Sequence, residues 1–185
     1  MRTHGPWTIN GSQHIYGDAW IDVHVDQVTR PDGLPGTYST VKLKPGVCVI
    51  AVDEQRQVHL TREFHYAVGR FTLEGVSGGI EAGESAALAA ERELAEELGL
   101  VAARWTRLGQ VDPFTSAIAS TVDLYLAQDL SHCPTALEGT EQIEHIVMPI
   151  DQAMDLIRRS EITHAPTCVA LLRIALDELA GRSSD

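Results

Sequence analysis

The 185-residue chain has no run of roughly 18 or more apolar residues, so a transmembrane helix is not expected. Its opening residues, Met1 to Pro6, contain no apolar stretch of the kind that forms a secretory signal. Cysteine is scarce. Cys48, Cys133 and Cys168 are odd in number, far apart and without a CxxC pair, so neither a zinc site nor a disulfide framework is expected. A reducing cytoplasm is the expected setting. Positive charge is also scarce: 14 Lys and Arg stand against 26 Asp and Glu, a formal net charge of −12. Nucleic acid and anionic membrane are polyanions and are therefore disfavoured as partners. No Ser-His-Asp or Cys-His nucleophile pattern stands out. His14, His24, His59, His132, His145 and His164 show no ligand-type spacing and read as surface or satisfied core residues. There is no internal repeat, low-complexity tract or linker.

What is present is a mixed pattern of strands and helices. Residues 19 to 28 alternate Ala19, Ile21, Val23 and Val25 against polar neighbours, a half-buried strand. Pro31-Asp32-Gly33 marks a turn. Further strands are predicted over 37–43, 46–52, 57–63, 70–76, 104–111, 121–127 and 143–148, the second of these a buried apolar run. From Ser85 to Leu98 the chain is rich in Ala and Leu without Gly or Pro, which favours helix. Leu88 with Ala95 and Leu94 with Leu98 form two apolar rows at helical spacing, and Gly99 is placed as a left-handed cap. Helices over 151–159 and 167–179 close the chain. The expected architecture is an α/β sandwich in one compact domain, with a mixed sheet and helices on its faces.

The acids are unevenly spread, crowding between Glu81 and Glu97. Glu91, Glu93, Glu96 and Glu97 gather near the end of the predicted helix, where the helix dipole already places negative charge. An exposed carboxylate there costs roughly 0.3–1 kcal/mol, and the Glu93–Glu97 pair adds repulsion of about 0.2–0.5 kcal/mol. Arg92 offsets part of this through its i,i+4 partner Glu96. A solvated charged face would be better served by Lys or Arg in the last turn. A bound divalent cation removes the conflict: Glu93, Glu96 and Glu97, at i, i+3 and i+4, project to one side and offer hard oxygen ligands suited to Mg²⁺. The preceding loop, Ser77 to Glu84, is glycine-rich, which lets backbone approach a ligand closely.

Loop and helix together resemble the Nudix box, G-x5-E-x7-R-E-U-x-E-E-x-G-U with U aliphatic. Gly78, Glu84, Arg92, Glu93, Leu94, Glu96, Glu97, Gly99 and Leu100 fill every specified position. Outside residues 78–100 the chain is similar, more loosely, to the ADP-ribose pyrophosphatase branch of that family. The stretches carrying this are Trp20 to Thr37, Arg62-Glu63-Phe64-His65-Tyr66, Leu73-Glu74-Gly75-Val76-Ser77 and Arg104 to Gly109.

The resemblance implies a Nudix-type α/β/α sandwich, with an N-terminal antiparallel strand region over 1–45 serving dimerisation and a hydrolase domain over 46–185. It implies Mg²⁺, with Mn²⁺ as a substitute, held by Glu93, Glu96 and Glu97 with the Ser77 carbonyl and Glu84. Arg92 would hold the box carboxylates in place. A glutamate on a late loop would lie near the attacking water; Glu141 and Glu144 are the candidates, Glu141 preferred. Arg62, His65 and Glu74 fall in the substrate-facing segments. Tyr16 and Trp20 fall in strands that cross to a partner subunit, so a homodimer is expected. The implied reaction is hydrolysis of a pyrophosphate bond in a nucleoside diphosphate linked to another moiety, of the ADP-ribose or nucleoside-diphosphate-sugar type. A GDP-sugar or dinucleotide polyphosphate is the alternative substrate, and a non-catalytic nucleotide sensor the alternative of another class. The chain departs from the branch in two places. It has Glu63-Phe64-His65 where Gln-x-Arg is usual, and it lacks a second proline after Pro113. Both departures separate it from the ADP-ribose pattern and leave the pyrophosphate chemistry untouched.

Overall fold

In the strand Gly46–Val52 (β5) all residues after the first are buried, and alternation sends them to two different cores. Cys48, Ile50 and Val52 enter one hydrophobic cluster, and Val47, Val49 and Ala51 enter another. A strand buried on both faces needs cover on both, which the helices supply. The structure, a computed structural model, describes residues 1–137, 139 and 142–182, with Arg182 by its backbone alone.

Two compact units emerge, 1–45 with 112–121 and 46–111 with 122–185. In the first, Arg2–His4 (β1), Trp7–Gly17 (β2), Ile21–Thr29 (β3) and Pro35–Leu43 (β4) form an antiparallel meander. Ile118–Ala119 (which becomes β10 in chain order) adds a short parallel edge to β4. The strand β2 was not expected, because eight of its eleven residues are exposed and it carries no hydrophobic alternation.

The second unit holds a seven-stranded sheet. Gln57–His65 (β6), Arg70–Glu74 (β7), Val76–Gly79 (β8), Leu100–Val111 (β9), Val122–His132 (β11) and Glu144–Pro149 (β12) join β5 in the order β12-β6-β5-β11-β9. Only the β5–β11 pairing in this sheet is parallel. The extended piece expected over 70–76 is broken at Gly75: β7 pairs with β6, and β8 crosses to pair with β5. That break brings the glycine loop beside the centre of the sheet.

The helix Ala86–Leu98 (α1) covers one face. Ser85 caps it by accepting the Leu88 N–H at 3.3 Å, and Gly99 ends it with φ of 61°, donating to Ala95 O. Ala89, Ala90, Leu94 and Leu98 face the sheet, the two alanines letting the helix sit close. Each fully buried leucine of this kind contributes about 1.5–3 kcal/mol. The row expected through Leu88 is not buried: Leu88 is 57% exposed, because the inward stripe runs through Ala90 instead. The helices Ile150–Arg158 (α2) and Ala165–Arg182 (α3) cover the other face through Ile150, Ala153, Leu156, Ala170, Leu171 and Ile174. The result is a mixed α/β sandwich, as expected. Among the described residues no helix is long and apolar enough to cross a membrane.

Candidate active site

The inward stripe of α1 also carries charge. Glu93 and Glu97, one turn apart, are only 9% and 8% exposed. Burying carboxylates is costly unless cations and hydrogen bonds compensate. Arg92 supplies part of that compensation. Its Nε and Nη2 each donate to Glu84 at 3.0 Å, and its Nη1 donates to Glu93 at 2.7 Å and to Glu96 at 3.1 Å. A further Nη2 bond reaches Gly79 O at 2.9 Å, so one guanidinium ties the loop to the helix. Glu84 in turn accepts the Glu81 N–H at 2.9 Å and orders the loop bend. These partners, Glu84 first, raise the Arg92 pKa above its ordinary value.

The loop strand β8 is shaped to receive this cluster. The Glu93 carboxyl occupies the volume that a side chain on Gly78 would fill. Ser77, next to it and registered opposite Cys48, donates its hydroxyl to Gly75 O at 2.8 Å. Glu84, Arg92, Glu93 and Glu96 are thus brought together by direct contact, with Glu97 one turn along the same helix face. Arg92 can neutralise one of the four carboxylate charges. The donors are hard oxygens, two of them buried on a rigid helix, and such a set fits a divalent cation.

A second polar cluster lies within the same unit. Glu74, buried at the end of β7, accepts from Thr72 Oγ1 at 2.6 Å and lies 3.1 Å from His164 Nδ1. His65 Nδ1 is 2.9 Å from Thr72 Oγ1, and its Nε2 is 3.7 Å from Glu74. Thr167 is fully buried; its hydroxyl accepts the Gly75 N–H at 2.8 Å and stands 2.8 Å from His164 Nδ1. Burial holds the His164 pKa below the usual imidazole value, Glu74 opposes that shift, and His65 adds to it. Cys48 lies 3.7 Å from Thr167. Burial pushes its thiol up to about 12, with smaller contributions from Glu74 and Glu97, so it is an inert core group. His164, Thr72 and Thr167 were not expected here. Gly75 and Thr167 are 92 positions apart, and nothing in local spacing links them.

Arg62 on β6 donates to Glu144 on β12 at 2.8 Å and stacks 4.4 Å from the Phe71 ring. Glu141 lies outside the described residues. Tyr16 and Trp20 belong to the first unit: both are exposed, Tyr16 donating to Asp18 at 3.0 Å and Trp20 lying 5.0 Å from Lys44 Nζ.

Comparison with known proteins identifies the family. The family model described as NUDIX domain matches residues 42–167, and that described as nucleoside diphosphate sugar hydrolase N-terminal domain matches residues 7–41. The chain belongs to the Nudix family. It is 27% identical over 168 residues to the ADP-ribose pyrophosphatase of Bacillus subtilis, covering 90% of this chain and 91% of that one. It is 28% identical over 177 residues to the ADP-ribose pyrophosphatase of Mycobacterium tuberculosis, covering 94% and 85%. A crystal structure of an ADP compounds hydrolase shares the fold, with a TM-score of 0.83 over 98% of both chains at 23% identity. The chain is thus a pyrophosphohydrolase of a family that in general uses divalent metal ions.

Proposed function

We propose that this enzyme uses Mg²⁺, with Mn²⁺ able to substitute, to hydrolyse the pyrophosphate bond of a nucleoside diphosphate linked to a sugar-like moiety. The products would be a nucleoside monophosphate and a phosphorylated second product. The observation that carries this reading is the burial of Glu93 and Glu97 on the sheet-facing side of α1, beside an arginine that already serves Glu84 and Glu96. The names of the two pyrophosphatases similar over most of this chain support an ADP-ribose-like substrate.

In this reading Glu93, Glu96, Glu97, Glu84 and the Ser77 carbonyl hold the cation. Mg²⁺, when bound, offsets the charge of the diphosphate and lowers the pKa of a water. Arg92 keeps Glu93 and Glu84 in place, so that little reorganisation is needed when substrate arrives. Glu141 or Glu144 orients the attacking water. Glu144 is held by Arg62, which presents its guanidinium at the same edge of the sheet. His65 replaces an arginine usual in the ADP-ribose branch and offers a hydrogen bond in its place, through an imidazole that already lies 2.9 Å from Thr72 Oγ1. Glu74, Arg62, Tyr16 and Trp20 contribute to substrate contacts. Residues 1–45 act as a dimerisation region, the enzyme works as a homodimer, and it acts on its small-molecule substrate in the cytoplasm.

The test is a panel of nucleoside-diphosphate compounds incubated with Mg²⁺, with products resolved by chromatography. Release of a nucleoside monophosphate from ADP-ribose or a nucleoside-diphosphate sugar is expected. Turnover confined to dinucleotide polyphosphates would replace the substrate class. Tight binding of the panel without any product would make the protein a sensor and end the catalytic reading.

A further inference from the structure

Beyond the glutamate box, the chain assembles a second set of metal-ligand atoms from its N-terminal hairpin. His14 on β2 is registered opposite His24 on β3, and Asp22 lies two residues before His24, on the same face of the strand. The register shifts by one residue between His14 and Tyr16, so that Gly17 rather than Tyr16 stands opposite Asp22. His14 Nε2 lies 3.1 Å from Asp22 Oδ1, and His24 Nε2 lies 3.0 Å from the same oxygen. The ligand atoms of all three residues fall within 4.8 Å of one another. Histidine spacing along the chain did not reveal this group, because only the register of two strands brings its members together.

We infer that His14, Asp22 and His24 form a binding site for a divalent transition metal of the zinc type. Zinc bonds of about 2.0–2.2 Å at a tetrahedral angle place ligand atoms about 3.3 Å apart, close to the separations from Asp22 to each imidazole. Two imidazoles and one carboxylate select zinc, nickel or copper over Mg²⁺, which prefers oxygen throughout. A supporting layer is present. Ser12 Oγ is 3.4 Å from His24 Nδ1, on the ring nitrogen opposite the metal-facing one, and can accept its N–H when a metal takes the place of the proton on Nε2. Gly17, registered opposite Asp22, keeps the other side open: a side chain there would meet His14 Nε2 at 2.8 Å. Both His14 and Asp22 are solvent-accessible, leaving a coordination position for water. Lys42 stands opposite Asp22 on β4 and Asp26 lies two residues beyond His24, so the site's edge carries one charge of each sign. Bound metal would clip β2 to β3, the hairpin that carries Tyr16.

The full chain in excess Mg²⁺, which occupies oxygen-only sites, is titrated with Zn²⁺ against a chromophoric chelator. One tightly held zinc per chain is expected. His14→Gln and His24→Gln, which keep side-chain volume, are expected to weaken it by more than about 100-fold, beyond the range seen for supporting residues. Glu97→Gln is expected to hold zinc as tightly as the unaltered chain, which separates this site from the box. Diffraction at the zinc absorption edge from crystals of the unaltered chain should place an anomalous peak between the two imidazoles, a readout independent of how the variants fold. Zinc affinity unchanged in His14→Gln/His24→Gln, or an anomalous peak found only at the glutamates, would overturn the assignment.

Discussion

A methyl group on Gly78 would lie 1.9 Å from the carboxyl carbon of Glu93. The strand and the helix meet there with no room for any side chain other than the glutamate's own. Gly78→Ala is therefore expected to displace the Glu93 carboxylate while leaving the sheet intact. A displacement of about an ångström costs about 10²-fold in rate, so kcat should fall by that order with a small change in melting temperature. Steady-state kinetics beside a thermal melt check this; a variant as fast as the unaltered enzyme would show that the position of Glu93 is immaterial.

Glu97→Gln keeps the shape of the side chain and removes its charge. Turnover with Mg²⁺ should fall by roughly 10²–10³-fold, the loss typical of one electrostatic group aimed at the reacting centre. Without metal, the same change removes a negative charge from the last turn of α1, worth about 0.3–1 kcal/mol. The metal-free variant should therefore melt no lower than the unaltered chain. Lower activity with equal or higher stability marks a residue kept for chemistry; wild-type turnover would reject it.

Arg92→Met removes the fork from Glu84, Glu93 and Glu96 at once. Leaving partly buried carboxylates without their cation costs about 3–5 kcal/mol. A divalent ion bound among the same oxygens would replace some of that charge, and binding to the folded state alone raises stability. The drop in melting temperature should therefore shrink as Mg²⁺ is raised. Melts at several Mg²⁺ concentrations test this, and a metal-independent deficit would count against a shared cation.

Because burial lowers the His164 pKa, the folded chain binds fewer protons at this residue than the unfolded chain does. The stability it supplies is full above the unfolded value of about 6.5 and is lost as pH falls through that value toward the lower folded one. Melting temperature should decline between about pH 7 and pH 5, and His164→Gln should flatten that decline. Parallel pH–melting profiles for the two chains would disprove the assignment to His164.

Thr167 holds the Gly75 N–H at the point where β7 gives way to β8. Thr167→Val preserves volume and leaves that buried donor unpaired, at a cost of about 1–3 kcal/mol. Denaturant unfolding should register the loss. Stability equal to the unaltered chain would mean that another acceptor takes over the Gly75 N–H.

Some of this was legible before the structure. The end of α1 follows from Gly99, and β5 follows from its uninterrupted apolar run, because each depends on residues within a few positions. The spacing of the box places Glu93 and Glu97 one turn apart whatever surrounds them. Other features were hidden. The strand β2 exposes most of its residues, so no alternation announces it, and the row through Leu88 faces solvent because the sheet, not the helix, decides which stripe turns inward.

The sequence by itself determined the helix, its glycine cap, and the order of carboxylates along it, since helical geometry converts spacing directly into a shared face. Only the tertiary structure decided that Glu93 and Glu97 are buried, that Glu74 meets His164, and that His14 and His24 share one carboxylate. Each of those depends on which strand lies beside which and in what register, and a shift of one residue would turn the side chains to the opposite face.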